Sequence, residues 1–127
     1  MAVAAYTKAQ VTLVDRERLL LLVLDGGLTF LERARAALAA GDDGAFTEAI
    51  RRAQGVVCEL RASLNHEVGG ALAARLAQLY AFLLGHLAKA YAQRSRRHVE
   101  EAIRVLRPIA EAFHQVIEKP AAAGERA

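Results

Sequence analysis

The stretch "LLLLVLDGGLTFLERA", Leu19–Ala34, decides how the chain folds. Its apolar run breaks into Asp25-Gly26-Gly27. Taken alone it reads as a buried strand ending in a turn, the start of a membrane span, or a helix with two glycines inside it. The run from Leu19 to Leu24 is too short for a span, which takes about 20 apolar residues. The strand reading fails on periodicity. Leu20, Leu24, Gly27, Leu31, Ala34 and Leu38 recur three and four apart, so Gly27 lies on one stripe of a helix. The stretch is therefore a helix that runs through its glycines. Each glycine costs that helix about 1 kcal/mol relative to alanine. Close approach of a second backbone is the usual reason to accept the cost. The approaching helix belongs either to the same bundle or to a partner.

The same spacing continues outward. Phe46, Ile50, Ala53, Val57, Leu60 and Leu64 mark a second block. Leu72, Leu76, Leu79, Leu83 and Ala90 mark a third, with His86 on the line. Val99, Ile103, Leu106, Ala110, Phe113 and Ile117 mark a fourth. "GDDG" (41–44), "VGG" (68–70) and "RSRR" (94–97) separate the blocks. Asp15 is placed to cap the first block with Glu17 in its first turn, Asp42 or Asp43 the second, and Ser95 the fourth. Pro108 inside the fourth block predicts a kink near Arg104–Pro108. Short links favour antiparallel neighbours. The expected fold is all-α, an antiparallel up-and-down four-helix bundle over residues 16–118. An N-terminal strap or short helix (1–15) precedes it, and a disordered tail (119–127) follows, "KPAAAGERA", which lacks apolar periodicity.

Composition narrows the functional classes. With 127 residues the chain fits one domain, and its hydrophobic share of 54% provides a core without any tryptophan. The net charge of +3 is mild, and Lys and Arg are interspersed with Glu apart from Arg94–His98, which reads as a solvated helix junction more readily than as a nucleic-acid site. Cys58 is the sole cysteine, so no disulfide forms within the chain, as suits a reducing cytosol. Beside Val56, Val57 and Leu60 it reads as a small buried hydrophobe. The N-terminus "MAVAAYTKAQ" lacks the basic-then-apolar pattern of a signal peptide.

Catalytic patterns are missing. Glu111 and His114 form Glu-x-x-His, yet a di-iron bundle needs a second such pair and further inward carboxylates, and no second pair exists. The four histidines make no Ser-His-Asp or Cys-His pattern, and neither Gly-Gly pair sits in a phosphate-binding context. The chain is expected to be no enzyme and to carry neither metal nor cofactor.

A second apolar stripe is more informative. The first block also offers Leu19, Val23, Gly26, Phe30 and Ala37, and the third offers Ala73, Ala77, Tyr80, Leu84, Leu87 and Tyr91. One apolar face per helix suffices for a bundle. The surplus widens the core, is covered by the segment "YTKAQVTLV" (6–14), or receives an amphipathic helix from another protein.

The order of motifs resembles the FliS family of flagellar secretion chaperones, from about Tyr6 to Ile117. The matching elements are Tyr6 with Gln10-Val11, "LLLLVLDGGLTFLERA", Ile50 with Ala53-Gln54, Val57, Leu60 and Leu64, and Gly69-Gly70 with Leu76, Leu79 and Tyr80. Departures are Leu24 for a Tyr, Arg75 for an Asn, Tyr91 for an Asn and Phe113 for a Trp. The resemblance implies a cytoplasmic helical bundle without catalytic activity. Such a protein holds the disordered C-terminal region of flagellin in apolar grooves, prevents premature polymerisation, and docks with its cargo on the export gate component FlhA. It implies a strap made of Tyr6, Val11 and Leu13 and a groove made of Leu19, Val23, Gly26, Phe30, Tyr80, Leu84 and Leu87. The partners expected are protein only, with no nucleic acid and no membrane insertion, the chain itself being a monomer or weak homodimer. The alternative is a helical-bundle adaptor or homodimeric structural protein that does not bind flagellin.

Overall fold

The computed structural model describes the backbone of residues 2–118 and the side chains of residues 16–118. Its elements are α1 (Ala2–Ala40), α2 (Asp43–Ala62), α3 (His66–Gln93) and α4 (Arg96–Glu118). Packing runs round a square: α1 lies on α2 and α4, and α3 lies on α2 and α4. Among the described residues the backbones of the diagonal pairs do not approach each other closely. With such short links this is the up-and-down antiparallel bundle.

The stripes converge as helical spacing requires. Leu24, Leu31 and Ala34 of α1 meet Phe46, Ile50, Ala53 and Val57 of α2, with Val99, Ile103, Leu106 and Ala110 of α4 closing the core. Asp42 caps α2, its side chain accepting from the Ala45 amide at 3.0 Å. Ser95 caps α4, its Oγ accepting from the His98 amide at 3.3 Å.

Several expectations need correction. Helical backbone begins at Ala2, so Asp15 lies inside α1 and does not cap it. The side chains of Tyr6, Val11 and Leu13, and the tail 119–127, lie outside the described residues. The α2–α3 link falls before "VGG": Asn65 caps α3 by accepting from the Glu67 and Val68 amides. Gly70 then departs from helical geometry at φ 51° and ψ −122°, which kinks the start of α3. No residue of α4 shows such a departure at Pro108; α4 runs through it as one helix.

In α3 the core side is Ala73, Leu76, Tyr80, Leu83, Leu87 and Ala90. Leu72 and Leu79, expected inside, are exposed. Cys58 is exposed too, because it follows Val57 by one residue and turns about 100° away from the buried face. By length and composition α3 is apolar enough to cross a membrane, and 22% of its most apolar stretch is buried in the bundle.

Candidate functional site

The two glycines of the opening stretch have opposite surroundings. A Cβ on Gly27 would lie 2.9 Å from Val56 Cγ1 and 3.1 Å from Leu106 Cδ2, so α2 and α4 press against this point of α1. The bundle itself therefore accounts for Gly27. A Cβ on Gly26 would meet nothing within 4 Å, and no packing within the described molecule accounts for that glycine.

Gly26 lies on the edge of α1 that faces α2, on the stripe of Leu19, Val23 and Phe30. Leu19 is 58% exposed, while Val23 and Phe30 are half-buried against the core. Leu19, Leu20 and Val23 border a cleft of about 460 Å³ with Leu60 and Ser63 of α2, its rim carrying Arg16 and Glu59. Leu20, Leu60 and Ser63 also line a second cleft of about 290 Å³. That one passes over the α2–α3 link between Leu64, Val68, Leu72, Leu76 and Phe113, with the Tyr80 ring at its floor. The two clefts adjoin at these shared residues and together form a largely apolar track. It begins on the α1–α2 seam and ends where all four helices contribute.

The expected groove residues are only partly brought together. Leu19 and Val23 line the first cleft and Tyr80 the floor of the second. Phe30 lies further along the seam, in a separate hollow, with the guanidinium groups of Arg33 and Arg52 5.6 and 5.8 Å from its ring centre. Leu87 is fully buried in the core, Leu84 packs half-buried against it, and neither they nor Gly26 lines these clefts. α1 and α3 are diagonal, so their stripes share surface only at the end of the bundle, where Leu20 lines the second cleft with Leu72, Leu76 and Tyr80. Burial holds the Tyr80 phenol above its ordinary pKa, as expected of a core ring.

Sequence reasoning missed Leu64, Val68 and Phe113 as groove residues and assigned Leu72 to the core. The available signal was Gly69-Gly70. A helix start that needs a positive φ leaves Val68 and Leu72 off the core-facing line.

The polar clusters are structural. His114 donates from Nε2 to both Asp25 oxygens at 2.9 Å and from Nδ1 to Glu118 Oε1 at 3.0 Å, joining α4 to α1. These bonds, chiefly the one to Asp25, raise the imidazole pKa. His86 Nε2 donates to Glu101 Oε2 at 2.5 Å, which holds that carboxyl below its usual range. Buried His98 packs edge-on to His86 and is pushed down by desolvation and by Arg97. Arg94 pairs with Asp43 at 2.6 Å and Arg96 with Glu100 at 2.6 Å, so the basic cluster is largely neutralised at the helix junction. Glu111 takes no part in the His114 network, and no group of three potential ligands suited to a metal ion occurs among the described residues.

Comparison with known proteins agrees with this geometry. The family profile described as "Flagellar protein FliS" matches residues 1–120. The flagellar secretion chaperone FliS of Salmonella typhimurium is 34% identical over 103 residues, covering 80% of this chain and 76% of that one. Flagellar secretion chaperone FliSB of Pseudomonas aeruginosa is 35% identical over 83 residues, 65% and 66% of the two chains. FliS of Campylobacter jejuni is 27% identical over 116 residues, 91% of each. A four-helix bundle with an apolar groove, matched along nearly its whole length, belongs to the FliS family of flagellar secretion chaperones.

Proposed function

We propose that this protein is a cytosolic export chaperone that holds the C-terminal region of flagellin along the groove from Leu19 to Leu72. Bound there, flagellin's polymerising segment is occupied, and the complex goes on to the export gate component FlhA. The continuity of the two clefts through Leu20, Leu60 and Ser63 carries the reading, because a long apolar track suits an extended or helical segment better than a compact ligand. Gly26 lies outside the clefts, one turn beyond Val23 on the same stripe; the described bundle gives no reason for that glycine, and a partner backbone running on from the groove would. Ordering a disordered segment costs several kcal/mol, so a long interface is required. Residues 2–15 form the first turns of α1 and lead to the end where Arg16 and Leu19 border the groove. As a strap, Tyr6, Val11 and Leu13 compete with flagellin for it.

The test is isothermal titration with a peptide covering the C-terminal region of flagellin from the same genome. One-to-one binding with a negative heat-capacity change is expected, weakened about tenfold or more by Leu19→Glu. Removal of residues 1–15 tightens binding if they compete. A wild-type chain that ignores the peptide and sediments as a stable dimer sinks the reading in favour of a homodimeric structural role.

A further inference from the structure

A second apolar surface lies away from that groove, on the outer seam of α3 and α4. We propose that it docks an amphipathic helix with acidic flanks, a site separate from the groove and independent of what the groove holds. Phe82 is 46% exposed, its ring 4.1 Å from that of His86, which bonds to α4, and Leu79, 38% exposed, lies one turn away on the same side of α3. The His86–Glu101 bond fixes the register of the two antiparallel helices. One and two turns on, Phe82 falls toward Val105 and Leu79 toward Pro108. Further along, Val116 of α4 is 69% exposed. Pro108 carries no amide proton and cannot donate to the Arg104 carbonyl.

The occupant follows from charge and shape. Arg75, Lys89 and Arg104 are exposed beside this strip and enter no ion pair among the described residues. Of the carboxylates here, Glu101 is already held by His86 and lies 3.6 Å from Arg97, and exposed Glu111, two turns beyond Arg104, is the one free carboxylate set against these three cations among the described residues. The rim is therefore basic and selects acidic flanks. A second copy fits poorly. Antiparallel pairing about Phe82 sets Arg75 of each copy against Lys89 of the other, and parallel pairing sets each against itself. An anionic membrane fits poorly as well. A membrane-inserting helix carries bulky apolar residues on its crest, whereas the solvent crest of α3 holds Ala74, Gln78, Ala81, Gly85 and Ala88. Such a crest lets another helix lie close.

The test uses the full chain and a labelled synthetic helical peptide of about three heptads, with Leu at a and d and Glu at e and g. Fluorescence anisotropy is expected to show binding that weakens about tenfold or more in Phe82→Glu and in Arg75→Glu. Leu19→Glu is expected to bind as wild type does, which separates this site from the flagellin groove. A peptide with Lys at e and g is expected to bind about tenfold more weakly. Both α3 substitutions are at exposed positions, and circular dichroism melting confirms that each variant folds. Equal binding by wild type and Phe82→Glu overturns the proposal, as does equal binding of the Lys-flanked peptide. It is equally overturned if Phe82→Glu instead abolishes flotation with phosphatidylcholine–phosphatidylglycerol vesicles or a concentration-dependent dimer, since the strip then serves a membrane or a second copy.

Discussion

Gly26 and Gly27 are chemically identical neighbours that the fold treats in opposite ways. Alanine at position 26 meets open space and regains helix propensity, so Gly26→Ala is expected to stabilise the protein by about 0.5–1 kcal/mol. Alanine at position 27 drives into Val56, stiff at χ1, and into fully buried Leu106. Overpacking of about 1–3 kcal/mol there outweighs the propensity gain. Urea denaturation of the two variants is expected to show stability shifts of opposite sign. The sequence showed that both glycines lie in a helix but could not separate their roles, because spacing places a residue on a face without saying what lies opposite. His114 illustrates the same limit. Glu-x-x-His drew attention to Glu111, whereas the partners are Asp25, which is distant in sequence, and Glu118. Carboxylates against both ring nitrogens favour the charged imidazolium, which is why its pKa is raised. Its contribution to stability is fully present below the unfolded pKa of about 6.5 and is lost as pH rises through the higher folded value. An NMR titration of the ring protons is expected to give a midpoint above the ordinary histidine range that falls in Asp25→Asn.

At the scale of elements, α2 and the core stripes of α1 and α4 were legible, whereas the start of α1, the straight run of α4 through Pro108 and the phase of α3 were not. Each block two and block four stripe has a single apolar phase, and the core takes it. In α3 the sequences Leu72–Leu76–Leu79–Leu83 and Ala73–Leu76–Tyr80–Leu83 are equally periodic, so spacing supplies two phases and tertiary packing chooses between them. The choice leaves Leu72 and Leu79 outside, and these residues belong to the two surfaces proposed for partners. Gly70 sets where α3 starts. Its φ of 51° with ψ of −122° suits glycine alone, and a Cβ there meets no atom within 4 Å, so backbone strain and not crowding opposes substitution. Gly70→Ala is expected to cost about 1–3 kcal/mol. Because the turn positions Val68 and Leu72, it is also expected to weaken flagellin-peptide binding, as titration of the variant would show.

For the whole molecule, the core and the partner surfaces are built from the same residue types yet make separable contributions to stability and binding. The core closes without Leu19, which is 58% exposed, so Leu19→Glu is expected to change intrinsic stability by no more than about 0.5 kcal/mol. Binding feeds back on stability by mass action. A flagellin peptide at 100 times its Kd adds about 2.7 kcal/mol if it binds only the folded chain. For a domain of this size that raises the melting temperature by roughly 10 °C. At the same peptide concentration a tenfold weaker Leu19→Glu is expected to gain only about 1.4 kcal/mol, roughly half the wild-type shift, without losing the fold. Scanning calorimetry with and without peptide distinguishes the two contributions. If Leu19→Glu melted low even without peptide, Leu19 would belong to the core and the groove would have to be redrawn around Leu64, Val68 and Phe113. If the variant kept the full shift, the peptide would be bound elsewhere on the bundle, and the exposed seam of α3 and α4 would be the next surface to test.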